Sequence, residues 1–195
     1  MEHSARRTAS PATYQDVLDA PKHLVAELIG GELYTSPRPA MPHALTSSDL
    51  TIDLGAPFRR GRGGPGGWWI VAEPELHLGD EVLVPDVAAW RRERMPERPS
   101  GAFVSLVPDW VCEIASPSTR SFDRLRKMPV YLRHGLGFLW LVEPLERFLD
   151  AFVREGERWV LLGTWSAETE ARIPPFDAVP LDVTGWWASD DETGG

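Results

Sequence analysis

The stretch Trp110-Val111-Cys112-Glu113-Ile114-Ala115 decides the fold when read together with residues 121–142. Ser121 caps a helix that runs to about His134 and is closed by Gly135, and Phe138-Leu139-Trp140-Leu141-Val142 is a continuous apolar run suited to a strand covered on both faces. Strand, helix, strand predicts a parallel crossover. Side chains alternate along a strand, so Val111, Glu113 and Ala115 share one face and Trp110, Cys112 and Ile114 the other. Glu113 is the one charge in that strand.

Working outward, Trp68 to Leu78 and Val82 to Trp90 read as strands separated by Gly79-Asp80. On the second of these, Val84, Asp86 and Ala88 share a face, and their small neighbours leave room for a hydrated ion. His23–Ile29 and Glu32–Ser36 flank Gly30-Gly31 as a hairpin, and Arg147–Arg154 and Arg158–Trp165 flank Glu155-Gly156-Glu157 as another. Apolar residues recur at helical spacing from His43 to Phe58, and Thr13-Tyr14-Gln15-Asp16 resembles a capping box opening a short helix that Pro21 stops. A last short element is expected near Trp186-Trp187. The glycine-rich segment 61–67 lacks the Gly-Lys-Ser/Thr ending of a phosphate-binding loop, so it is read as a flexible loop.

A chain of 195 residues predicts one domain over 13–187, with 1–12 and the acidic tail 188–195 expected to be disordered. The only cysteine, Cys112, excludes a disulfide framework and a cysteine zinc cluster. With no membrane span and no secretory leader, the expectation is a cytoplasmic protein. The net charge of −9 opposes broad adhesion to nucleic acid, although Arg59, Arg60 and Arg62 with Arg91, Arg92, Arg94 and Arg98 could form a local basic rim.

Asp86 and Glu113 each sit inside an apolar run, where a charge is expensive unless a cation or hydrogen bonds compensate it. Carboxylates from adjacent strands, aided by the Ile114 backbone carbonyl, are the hard oxygen ligands that magnesium prefers, with manganese the substitute. The bland alternative for either acid is a strand-end salt bridge to arginine. Lys127, one of two lysines, lies four residues after Asp123 on one helical face, a spacing that also describes an ordinary surface ion pair. Pro129 removes a backbone hydrogen bond from the same helix and predicts a kink just past Lys127. Glu73 and Glu75 flank Pro74, which suggests an edge or bulge, and neither is chosen for the site. No nucleophile elbow and no His-Glu-x-x-His motif is present, which counts against acyl transfer and zinc proteolysis.

The run Ala26-Glu27-Leu28-Ile29-Gly30-Gly31-Glu32-Leu33, then Val84-Pro85-Asp86-Val87-Ala88, then Cys112 to Thr119, then Asp123, Lys127, Tyr131, Gly135 and Leu139 to Val142, closely resembles the Uma-type restriction endonuclease family of the PD-(D/E)xK nuclease superfamily. The resemblance covers roughly residues 14 to 187. It implies an α/β fold of mixed α+β type, a restriction-endonuclease-like mixed sheet flanked by helices with additional hairpins. It also implies Asp86 and Glu113 as metal ligands, with a lysine placing the nucleophilic water. The superfamily's usual lysine position, two residues after the glutamate, is Ala115 here, so the role passes to Lys127. Glu27 resembles the family's additional N-terminal acid, and His43 stands where members often carry histidine, a position that capping or packing also explains. The resulting expectation is a magnesium-dependent endonuclease acting on DNA, with a homodimer as its working unit. The rival from another class is a catalytically silent module that keeps the fold for nucleic-acid or protein binding.

Overall fold

A computed structural model describes residues 4–6, 11–117 and 119–187, with only the backbone described for 4–6. Two sheets carry the fold. The first has the order β1 (Ser4–Arg6), β3 (Glu32–Pro37), β2 (Leu24–Ile29), β6 (Glu81–Leu83), β5 (Leu76–Leu78). The second has the order β11 (Arg158–Trp165), β10 (Phe148–Glu155), β9 (Phe138–Glu143), β8 (Trp110–Ile114), β7 (Val87–Arg91), β4 (Trp68–Ala72). In that second sheet β8 and β9 run parallel while the other neighbours are antiparallel, so the crossover expected from the Trp110–Val142 pattern is formed. Both expected hairpins form, β2–β3 and β10–β11.

The alternation in β8 is realised as two cores, one on each face of the second sheet. Trp110, Cys112 and Ile114 pack with Leu50 and Leu54 of α2 (Met41–Leu54) and with Trp140, Phe176 and Trp186. Val111 packs on the opposite side with Trp90, Leu139, Val130 and Tyr131. Glu113 therefore points into the layer between the two sheets and α4 (Met128–His134), where apolar packing would otherwise continue. Cys112 is fully buried, and burial pushes its thiol pKa well up, which leaves it inert at neutral pH.

Three expectations need correction. Val82–Trp90 is not one strand: Val84-Pro85-Asp86 is a break across which the chain leaves β6 in one sheet and enters β7 in the other. Pro85 has no N–H to donate to a ladder, which makes the break natural there. Trp68–Leu78 divides in the same way at Glu73-Pro74, where Glu73 has φ 45° and β4 and β5 go to different sheets. Ser121 is not the helix cap: α3 (Arg120–Phe122) begins after Thr119, and the Thr119 hydroxyl accepts from Ser116 N–H.

The expected kink at Pro129 is a wide turn. Between α3 and α4, residues Asp123–Lys127 form one π-helical turn in which Met128 N–H bonds the Asp123 carbonyl. One residue is thereby accommodated ahead of a proline that lacks a donor and whose ring would crowd the preceding turn. Asp123 and Lys127 are both buried as a result. The capping box of α1 (Tyr14–Leu18) forms, with Asp16 accepting from Thr13 N–H at 2.8 Å. Of the segments expected to be disordered, Ser4–Arg6 pairs with β3, while 1–3, 7–10 and 188–195 lie outside the described residues. No helix among the described residues is long and apolar enough to cross a membrane.

Candidate active site

A cavity of about 410 Å³ opens where the two sheets meet. Glu27 reaches it from β2, Asp86 from the β6–β7 break, Glu113 from β8, His43 from α2, and Asp123 and Lys127 from the π turn. The antiparallel register pairs Val87 with Cys112, which brings Asp86, the residue just before β7, beside Glu113 of β8. Asp86 thus reaches the site from the break and not from within a strand. Its Oδ2 accepts from Ile114 N–H at 2.6 Å and its Oδ1 lies 3.1 Å from His43 Nε2.

Lys127 is the hub, and the surface-pair reading of Asp123 and Lys127 is overturned by burial. Its Nζ lies 2.9 Å from Glu27 Oε1, 3.2 Å from Glu113 Oε2 and 3.9 Å from Asp123 Oδ1, and it donates to the Val84 carbonyl at 3.2 Å. Glu27 Oε1 also accepts from Val84 N–H at 2.8 Å, which pins the β6–β7 break beside the carboxylates. Tyr131 donates its hydroxyl to Glu113 Oε1 at 2.5 Å, so both Glu113 oxygens are held. Sequence reasoning placed Tyr131 only within the family resemblance; its spacing of four from Lys127 on the helix was the available signal for a shared face.

Burial pushes the Glu113 carboxyl well above the usual carboxylate range, with Lys127 pulling the other way and the neighbouring acids adding to the rise. Burial raises Asp123 to about 7 against the same pull from Lys127. For Lys127, burial disfavours the charge, but Glu113, Glu27 and Asp123 outweigh it and hold the ammonium well above its ordinary value. Burial likewise works against a charged His43, and the Asp86 carboxylate overrides it, so the imidazole pKa is raised. His43 Nδ1 is buried without a hydrogen bond of good geometry, and the Ile114 backbone beside it adds to the rise.

Four interior carboxylates, Glu27, Asp86, Glu113 and Asp123, therefore face one ammonium and one imidazole. At the rim, Glu73 pairs with Arg38 at 3.2 Å. Glu75 lies outside this cavity, as does Glu32, which accepts from the Tyr34 hydroxyl. The cluster of acids and the hard oxygen donors fit a small divalent cation. Among the described residues no three His, Cys, Asp or Glu side chains form a ready-made metal cage. Two carboxylates and a carbonyl with the remaining positions left to water and substrate is the habit of magnesium.

A crystal structure of a protein described as "a putative nuclease belonging to DUF820" from Anabaena variabilis is similar in fold, with a TM-score of 0.72 at 22% identity over 91% of this chain and 98% of that one. No curated protein matches the chain. The model of the Uma2 family, described as "Putative restriction endonuclease", matches residues 12–184, nearly the whole of the two-sheet body that builds the cavity, and the chain belongs to that family.

Proposed function

We propose that the cavity is the centre of a metal-dependent endodeoxyribonuclease that hydrolyses phosphodiester bonds. The observation that carries this reading is the clustering of acids: four carboxylates line one cavity with a single ammonium and a single imidazole, and burial, with the neighbouring acids adding to it, raises the pKa of Glu113 and Asp123 against the pull of Lys127. Asp86, Glu113 and the Ile114 carbonyl would hold magnesium or manganese, with Glu27 and Asp123 as further acids. When bound, such an ion polarises the scissile phosphate and lowers the pKa of a coordinated water. Lys127 is held protonated by its acids, so its part is to donate: it orients the attacking water or stabilises charge on the phosphorane, and it does not act as a base. Tyr131 fixes the Glu113 carboxylate, and His43 holds that of Asp86 only until an ion takes its place. A homodimer suits cleavage of both strands, and the exposed Met41, Leu45 and Ile52 of α2 offer apolar surface for it.

One observation favours the silent-module reading: both Glu113 oxygens already have protein partners, as a purely structural ion-pair network would. Cleavage separates the two. Wild-type protein incubated with supercoiled plasmid and with single-stranded DNA should cut in magnesium or manganese, stop in a chelator, and lose activity in Glu113→Gln. No cleavage of either substrate with either ion would favour the silent module.

A further inference from the structure

A second cavity, of about 270 Å³, adjoins the first. Glu73 lines both, so the turn between β4 and β5 is their common wall. That wall is tied to the centre by the bond from Glu73 N–H to the Asp86 carbonyl at 2.9 Å. The cavity is lined by Trp69 and Phe103 and by Arg59 and Arg98, which brings together members of two arginine clusters far apart in sequence. It is slightly smaller than the roughly 300–1,000 Å³ of ordinary small-molecule sites, a size for one flat ring system.

The aromatic lining is held ready. Phe103 stacks on His77 with ring centroids 3.8 Å apart and planes 10° from parallel, Tyr14 approaches it edge-on at 6.3 Å, and the residue is still 44% exposed. Trp69 carries the Arg92 guanidinium over its ring at 4.1 Å and donates its indole N–H to the Met95 carbonyl. The acids here are already engaged: Glu73 by Arg38, and Glu75 by the Tyr14 hydroxyl and His77. Among the described residues Arg59 and Arg98 have no side-chain hydrogen bond or ion pair, in a chain where 29 acids compete for 20 basic residues. Unpaired guanidinium groups beside an exposed aromatic face, next to an acidic centre, are complementary to an anionic, ring-bearing ligand.

We propose that this second cavity is a subsite for an unpaired nucleobase of single-stranded or locally melted DNA, stacked on Phe103, with an adjoining phosphate held by Arg59 and Arg98. The assignment rests on the nuclease reading for its substrate class. A base within a duplex cannot reach a cavity walled on several sides unless it leaves the stack, so the subsite favours unpaired strands. Stacking on an aromatic face is tolerant of sequence, and no base preference is expected from it.

The test is fluorescence anisotropy with a labelled oligothymidylate and a mixed-sequence duplex of equal length, in a chelator so that nothing is cut. Phe103→Ala should weaken oligothymidylate binding about tenfold and leave duplex binding within about twofold. Phe103→Leu keeps apolar bulk in case alanine loosens the loop, and should weaken binding similarly, while Phe103→Trp retains it. Arg98→Ala should weaken binding and reduce the salt dependence by about one phosphate contact. Unchanged oligothymidylate affinity in Phe103→Ala, or no binding of that strand by wild type, overturns the subsite. A protein that cuts DNA in magnesium with Phe103→Ala binding unaffected loses the subsite and keeps the nuclease. Phe103-dependent binding without cleavage keeps the subsite and removes the nuclease. Equal Phe103-dependent binding of an oligouridylate and the oligothymidylate would overturn the assignment to DNA.

Discussion

Lys127 Nζ sits 2.9 Å from Glu27 Oε1, tying the helix that follows β8 to the N-terminal hairpin through one buried ion pair. Removing a single partner from such a network leaves uncompensated charge, so Lys127→Ala should cost about 3–5 kcal/mol of stability at neutral pH. Per folded molecule, cleavage should also fall on the order of a hundredfold or more. Lys127→Arg should recover some stability and little activity, because a planar guanidinium does not fit contacts made by a compact ammonium. Urea unfolding and cleavage rates corrected for folded fraction measure the two effects separately. A Lys127→Ala protein as stable and as active as wild type would leave the lysine without a role in either.

Asp123 predicts a pH dependence with a definite sign. Its carboxyl moves from an ordinary value of 3.8 to about 7 on folding. Between those values the folded protein keeps a proton that the unfolded chain has released, so stability falls as pH rises from about 4 to about 7. His43, also raised, adds in the same direction: its contribution is present at low pH and is lost as pH rises through its folded pKa. Melting curves without added metal should shift downward across this window, and Asp123→Asn should flatten the shift. A wild-type midpoint that climbs steadily over the window would show that the acids are better neutralised than the geometry indicates.

Much of this arrangement was legible in the sequence because period-two alternation is unambiguous in a strand such as Trp110–Ile114, where a single charge marks the odd face. The parallel crossover and both hairpins follow from run lengths and from the turn glycines Gly30, Gly31 and Gly156, all at positive φ. Alternation could not reveal the breaks at Val84-Pro85-Asp86 and Glu73-Pro74. Both flanks of each break are strands with good patterns, and only tertiary structure sends them to different sheets. The i, i+4 spacing of Asp123 and Lys127 gave their shared face but not their burial, which comes from a wide turn and from packing against β2 and β8. The hydrogen bonds from Tyr131 to Glu113 and from Thr46 to the Trp186 carbonyl join residues whose meeting no local pattern announces.

Metal should relieve the repulsion among the carboxylates and bind only the folded state. A thermal upshift with millimolar magnesium or manganese is expected in wild type, and neither Asp86→Asn nor Glu113→Gln should show it, although both should remain folded. A wild-type midpoint unmoved by either ion would count against the cation.

The most direct measurement is anomalous scattering from crystals grown with manganese. A peak is expected between the Asp86 and Glu113 carboxylates, within reach of the Ile114 carbonyl, with His43 and Lys127 displaced from at least one of their present oxygen partners. Crystals in millimolar manganese with no peak there, and with Lys127 and His43 still on Glu113 and Asp86, would contradict it.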